Sequence, residues 1–203
     1  KAVVAVNGPA LSVFGIDEFS RKRLVNLVRK RLAALDAGAV LVPVKQGFNL
    51  LVAKEAVRLG VPIALLDLVL TKRGRVERRG TDLREWAPEN RELLKKLVRK
   101  ASATVKVHAN SFEYNAYLTD ASSALLCAYD NRVRDPMLAH LVAYSDQMGV
   151  RIENLLPLWE TMERVRNRAS RSPIRVVPSS VTPPVGVTVV EIDSGALANP
   201  FGS

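Results

Sequence analysis

The order in which short apolar runs and longer amphipathic stretches alternate constrains this chain more than any single residue does. Ala2–Val6 is a β-branched run that stops at Asn7-Gly8-Pro9, the pattern of a strand followed by a turn. From Asp17 to Asp36, Phe19, Leu24, Leu27, Val28, Leu32 and Leu35 recur at helical spacing, and Gly38 stands where a left-handed cap is expected. A strand at Ala39–Val42 leads through Lys45-Gln46-Gly47-Phe48 into a helix over Asn49–Leu59; Gly60 stops it, and Val61–Leu66 reads as a third strand. A polar loop is expected over Thr71–Pro88. The alternation then resumes with a helix (Glu89–Ala101), a strand (Thr104–Val107), a helix (Ser111–Asp120) and a buried strand (Ala124–Tyr129). A helix opened by Pro136 at the position proline prefers runs to Met148, Gly149 caps it, and Val150–Asn154 is the last strand.

Strands that alternate with helices of this length form βαβ units, whose crossovers impose a parallel sheet covered on both faces. The expected fold is therefore α/β, a Rossmann-like three-layer arrangement over residues 1–156. Residues 157–203 are expected to add a helix at Leu158–Ser170 and an extended tail beyond Pro173. In that tail Pro178, Pro183, Pro184 and Gly186 interrupt β-branched runs. The tail either pairs at the sheet edge or packs as an arm on another subunit, and a homo-oligomer is expected. A length of 203 residues suits one sizeable core, and 48% apolar with 25% charged residues is ordinary for a globular protein. No apolar stretch is long enough for a membrane span, and the Ala2–Val6 run is too short for a signal peptide. The single cysteine, Cys127, has no internal disulfide partner and fits a reducing, cytoplasmic setting as a buried thiol.

The formal charge is +10. One basic block lies on the first helix (Arg21, Lys22, Arg23, Arg29, Lys30, Arg31). A second runs from Lys72 to Lys100 and includes Arg73, Arg75, Arg78, Arg79, Lys95 and Lys96. Such clustering attracts nucleic acid or an acidic partner, and interspersed Glu77, Asp82, Glu85, Glu89 and Glu92 read equally well as a solvated surface. Only Trp86 and Tyr114 lie near the second block, thin provision for stacking bases.

In an open parallel sheet, ligands bind beyond the carboxyl ends of the strands. Four segments are expected there: Asn7-Gly8-Pro9, Lys45 to Asn49, the stretch Asn115 to Ser123, and Asp130 to Arg134. Gly47 would expose main-chain donors at the positive end of a helix dipole, with Lys45 adding charge, a natural phosphate cradle. Arg132 or Arg134 could clamp an anion. No G-x-G-x-x-G or G-x-x-x-x-G-K-[ST] motif occurs, which argues against a standard dinucleotide fold or P-loop. His108 and His140 are too few for a histidine metal site, no C-x-x-C pair offers zinc, and Ser122 and Ser123 lack a nucleophile-elbow pattern. No metal is expected and no catalytic residue is assigned.

Strand–Asn7-Gly8-Pro9, a basic helix, then strand–Gln46-Gly47-Phe48-Asn49-Leu50-Leu51-Val52-Ala53-Lys54-Glu55-Ala56 and Gly60-Val61-Pro62-Ile63 resembles the SLOG superfamily. That Rossmann-like group includes DNA-processing protein A and the lonely-guy enzymes. Asn115 through Asp120 to Ala124-Leu125-Leu126-Cys127-Ala128-Tyr129-Asp130 is similar to its later segment, with the YpsA-like branch nearest. The resemblance covers roughly residues 1–155. It implies a nucleotide or nucleotide-derivative ligand held by Asn7 and Gly8, by Gln46, Gly47 and Asn49, and near Asn131 to Arg134; with Lys45 and Phe48 of the same turn, these make the expected ligand-binding set of Asn7, Gly8, Lys45, Gln46, Gly47, Phe48, Asn49, Asn131 and Arg134. The superfamily's enzymes carry P-G-G-x-G-T-x-x-E, where this chain has Asp130-Asn131-Arg132-Val133-Arg134-Asp135-Pro136, and Asn49 stands where the YpsA-like branch tends to an acid. A neutral amide cannot act as a general base near neutral pH, so ligand binding is favoured over hydrolysis and catalysis is left open. The expectation is a sensor or regulatory nucleotide-binding protein. The alternatives are a basic nucleic-acid-binding protein using Arg73, Arg75, Arg78, Arg79, Lys95 and Lys96, and an assembly protein with a degenerate site.

Overall fold

The β-branched run at the start of the chain becomes the middle strand of a parallel sheet, β1 (Ala2–Asn7). In the computed structural model, which describes residues 1–15, 17–72, 75–78, 81–130 and 135–171, β1 pairs on one side with β2 (Ala37–Pro43) and on the other with β6 (Ala124–Cys127). Beyond β2 lies β3 (Ile63–Lys72), and beyond it β5 (Ala103–Ala109); beyond β6 lies β7 (Arg151–Asn154). These six strands are all parallel, in the order β5-β3-β2-β1-β6-β7. The fold is α/β and Rossmann-like. The chain winds outward from β1 to β5, then returns to the opposite side of β1, so β1 and β6 mark the point where the order reverses.

Right-handed crossovers put the helices of the two windings on opposite faces. On one face α1 (Glu18–Ala34), α2 (Phe48–Arg58) and α3 (Pro88–Lys100) pack in sequence. On the other lie α4 (Ser111–Asp120) and α5 (Pro136–Gln147), packed together. Alternate residues of each strand supply the two cores. Ala5, Leu66, Leu125 and Cys127 join Tyr114, Leu118, Leu138 and Leu141 beneath α4 and α5, while Val4, Val6, Val40, Val42, Ile63 and Leu65, also buried, alternate with them.

Local chemistry sets the ends. Asp17 caps α1, its carboxylate accepting from the Ser20 amide at 2.8 Å and the Ser20 hydroxyl at 2.6 Å. The left-handed residue after α1 is Asp36 (φ 47°) rather than the expected Gly38, which lies within β2. Aspartate tolerates that region because its short polar side chain bonds locally. Part of the polar loop expected over Thr71–Pro88 is instead a hairpin. Strand β3 continues to Lys72 and turns into the antiparallel β4 (Arg75–Arg78). Leu70 pairs with Ala109 of β5 and with Arg78 of β4, so β4 occupies the side of β3 that β2 has vacated.

A one-turn helix η1 (Leu11–Phe14) follows β1, and α6 (Leu155–Arg171) follows β7. Asn154 starts α6, its Oδ1 accepting from the amides of Tyr129 and Leu156 while Nδ2 donates to the Tyr129 carbonyl at 2.6 Å. The chain divides into two compact units, Lys1–Thr161 and Met162–Ser203. Of the second unit the described part continues α6 to Arg171; the Pro-rich tail lies outside the described residues. Among the described residues no helix is long and apolar enough to cross a membrane.

Candidate functional site

Strand β2 ends at Pro43, but β3 and β5 run on together to the Leu70–Ala109 pair. Their extension stands as a wall above the carboxyl ends of β1 and β2. The wall, the starts of α4 and α5, and the segment returning from β4 enclose a cavity of about 550 Å³, within the range of small-molecule sites. Its apolar side is Leu66, Leu68, Leu70, Trp86 and Met137; its polar side is Asn7, Lys45, Gln46, Thr81, Ser111, Tyr114 and Asp135.

Asn7 is the last residue of the central strand and is 4% exposed. Its Oδ1 is buried without a hydrogen-bond partner. Buried polar atoms are almost always paired, so an orphaned amide at a cavity wall is the kind of group a ligand satisfies. Around it the polar groups are already engaged. The Lys45 ammonium donates to Asp135 Oδ2 at 2.7 Å, while Asp135 Oδ1 caps α5 by accepting from the Leu138 amide at 3.0 Å. Burial works to raise the Asp135 carboxyl, but the Lys45 hydrogen bond, the Leu138 and Met137 amides and the Lys45 charge outweigh it, and its pKa lies below the ordinary value. Thr81 is held by the Asp67 carboxylate, which accepts from its amide and hydroxyl, each at 2.8 Å. Buried Tyr114 donates its phenol to the Leu66 carbonyl at 3.1 Å. Burial, then Asp67 and Tyr117, push that phenol above its ordinary pKa, which keeps it a neutral donor.

Helices α2, α4 and α5 all start at this edge, each presenting the positive end of its dipole. Two carry their own acids: α4 has a full capping box between Asn110 and Glu113, and α5 has Asp135. Helix α2 has neither; its N-cap is Gly47 and its first turn holds no acidic residue. The Phe48 amide donates to the Pro9 carbonyl at 3.1 Å and the first intrahelical bond is Leu51 to Gly47, which leaves the Asn49 and Leu50 amides as first-turn donors. A second cavity, about 740 Å³, lies between η1, α1, α2 and α3 and shares Ala10 and Gln46 with the first.

Of the residues singled out from sequence, Asn7, Lys45 and Gln46 meet at the first cavity, and Gln46 and Gly47 at the second. Gly8, after β1, packs against the start of α2, and Gly47, before α2, against the turn after β1. A Cβ on Gly8 would press into the Phe48 ring, and one on Gly47 would come 2.8 Å from the Pro9 carbonyl. Phe48 and Asn49 are fully buried. Phe48 stacks on Phe14 at 5.8 Å, and Asn49 Nδ2 donates to the Pro43 carbonyl at 3.1 Å while its Oδ1 is unpartnered. The stretch running to Ser123 does not reach this edge at its end: Ser123 bonds Val3, at the opposite, amino end of the sheet. Parallel strands begin at the edge where their helices finish, so it is the start of α4, through Ser111 and Tyr114, that lines the cavity. Asn131 and Arg134 lie outside the described residues, as do Arg73 and Arg79; Arg75 and Arg78 fall on β4. Lys95 and Lys96 are exposed on α3, Lys95 paired with Glu92 at 2.7 Å. Trp86 and Tyr114 are buried, so neither offers its ring to a base from solvent. Sequence reasoning missed Asp135, although an aspartate directly before a helix-opening proline is an N-cap signal. It also missed Leu66, Leu68 and Leu70, whose alternation marks one face of a long strand.

No group of three His, Cys, Asp or Glu side chains that could hold a metal ion occurs among the described residues. No protein-family model and no curated protein matches the chain. Among solved structures, the chain is similar to the X-ray structure of TM1055, a structural-genomics target. The two share 14% identity with a TM-score of 0.47, over 75% of this chain and 72% of that one.

Proposed function

We propose that this protein binds a nucleotide or nucleotide derivative in the cavity above β1 and β2, as a sensor or regulatory binder of the SLOG type. The observation that carries the reading is the unpartnered Oδ1 of Asn7, a residue 4% exposed, at the wall of a cavity of about 550 Å³ at the carboxyl edge of the sheet. A buried amide oxygen with no donor destabilises the empty fold, and a ligand hydroxyl or base N–H that donates to it recovers that loss. The leucine row of β3 and Trp86 offer an apolar bed for a base. An anion is best accommodated at Gln46, which lines both cavities and stands next to Gly47, the N-cap of α2 on the second; α2 is a helix start with a glycine cap and no acid of its own. Lys45 is available to it only by sharing or leaving Asp135, so anion binding competes with an existing ion pair.

The test is calorimetry and thermal shift with AMP, ADP-ribose and NAD on the wild type and on Asn7→Leu, a replacement of similar shape. A ligand at 100 times its Kd raises stability by about 2.7 kcal/mol. The wild type is expected to show such a shift with at least one of the three. Asn7→Leu is expected to unfold within about 1 kcal/mol of the wild type, since the Oδ1 it removes has no hydrogen-bond partner, yet to lose most of the ligand-induced shift. No response to any nucleotide, or an undiminished response in Asn7→Leu, would end the proposal.

A further inference from the structure

The two cavities at the carboxyl edge differ in charge. Among the described residues lining the first, the charged groups are Lys45 and Asp135, which pair at 2.7 Å and cancel. The second is lined by Arg21 of α1 and Lys54 of α2, against one acid, Glu89 of α3. Neither cation has an ion-pair partner among the described residues, whereas neighbouring Lys22 is held by Glu18 at 2.9 Å. An anion in the second cavity therefore breaks no ion pair, as one on Lys45 must. The helices add to the contrast. All of α1, α2 and α3 begin at this edge, and residues 21–25, 47–54 and 89–93, from their first turns, bound the cavity. Three positive dipole ends converge there. Asp17 and Glu18 offset that of α1 and Glu89 that of α3, but α2 has no acid in its first turn. Gln46 joins the two cavities. Its Oε1 accepts from Asn90 Nδ2 at 3.3 Å, which leaves Nε2 without a protein acceptor among the described residues.

We infer that the two cavities form one bipartite site. The uncharged nucleoside end of the ligand lies against the orphaned Asn7 oxygen in the first, and its phosphate end lies in the second, between Arg21, Lys54 and the start of α2. This rests on the nucleotide reading above and assigns the residues that take the charge. A phosphate suits the donors because they come from several directions: a guanidinium on one helix, an ammonium and main-chain amides on another, and the Gln46 amide between the cavities. Its acceptor oxygens are spread around one centre in the same way. Buried Phe14, Leu24 and Leu50 floor the cavity and keep water from that side of the anion, which strengthens each contact. Arg21 and Lys54 are exposed, so closing on the anion gives up no buried contact. Glu89 opposes it, and removing that charge is expected to improve binding.

Calorimetry with adenosine, AMP and inorganic pyrophosphate tests this. The proteins are the wild type, the double variant Arg21→Gln, Lys54→Gln, the single variant Glu89→Gln, and the control Lys30→Gln, Lys100→Gln. The control makes the same change of net charge toward the far ends of α1 and α3. All five positions are exposed, and circular dichroism checks that each variant folds. Wild type and control are expected to bind pyrophosphate, and to bind AMP at least about tenfold more tightly than adenosine, the equivalent of one charge-assisted hydrogen bond. The double variant is expected to lose pyrophosphate and to bind AMP no better than adenosine, while Glu89→Gln binds both anions more tightly. A wild type that ignores pyrophosphate, or a double variant that keeps its preference for AMP, would overturn the inference. So would an equal loss in the control, which reduces the effect to net charge, or an unchanged anion affinity in Glu89→Gln, which places the anion elsewhere. If adenosine and AMP both fail to bind while pyrophosphate still requires Arg21 and Lys54, the nucleotide reading falls and the anion site of the second cavity stands.

Discussion

Gly47 shows how much a single residue decides at this edge. Its φ of 91° and ψ of −128° belong to a region that side chains rarely enter, and a Cβ there would meet the Pro9 carbonyl at 2.8 Å. The close approach exists because Pro9 accepts the Phe48 amide, the bond that seats the turn after β1 on the start of α2. Gly47→Ala is therefore expected to cost about 2–3 kcal/mol, combining backbone strain with a displaced turn. Gly60, also at positive φ but with nothing near its Cβ position, is expected to cost about 1 kcal/mol on the same change. Urea denaturation of the two variants separates them, and equal losses would mean that the Pro9 contact is not what fixes Gly47. Glu55 is the other decisive residue. It is 1% exposed on α2 and receives the Arg29 guanidinium of α1 at 2.6 and 2.7 Å, with Arg58 farther off at 3.8 Å. Arg29→Met would leave that carboxylate buried without its close partner, and a loss of about 3 kcal/mol in the urea midpoint analysis is expected.

Among the elements, the sequence carried the alternation and lost the places where tertiary pairing overrides local chemistry. The strands, the helices and their order follow from periodicity, because an amphipathic period is imposed by which face is buried and survives in one sequence. The extension of β3 to Lys72 does not follow: Thr71 onward is polar and basic, and it is a strand only because β5 and β4 flank it. That extension is the wall of the site, which is why Leu68 and Leu70 escaped notice. Asn7, Lys45 and Gln46 were legible since turns after strands in a parallel sheet must converge at one edge. Ser111, Tyr114 and Asp135 were not, since which end of a helix faces that edge depends on the direction of the chain. The Lys45–Asp135 pair joins the turn before α2 to the start of α5, and it gives this edge an acid sensitivity. The Asp135 carboxyl lies below its ordinary value near 3.8 in the folded chain. Its contribution to stability is thus complete above about pH 4 and is lost as the pH falls through the lowered value. The two side chains are 40% and 27% exposed, so the contribution is about 0.5–1 kcal/mol. Asp135→Asn keeps a good helix cap while removing the charge. Denaturation curves at pH 7 and pH 3 should show this variant losing less stability on acidification than the wild type, and an identical loss would place the ion pair outside the energetics of the fold.

At the scale of the whole molecule, the Lys1–Thr161 unit is a single sheet with a core on each face, and Cys127 reports whether the two cores melt together. The residue is fully buried on β6, which pairs with the central strand, and it packs in the core beneath α4 and α5. Burial pushes its thiol up to about 12, so at pH 8 only about one molecule in 10⁴ would carry the reactive thiolate even if a reagent reached it. Modification must therefore wait for opening of β6. Because that strand is bound to β1 on one side and to β7 on the other, its release removes the pairing on which both layers rest. The free energy of opening measured from thiol labelling rates is expected to equal the global unfolding free energy from circular dichroism within about 1 kcal/mol. A much smaller value would mean that β6 and β7 open with α4 and α5 as a separate unit.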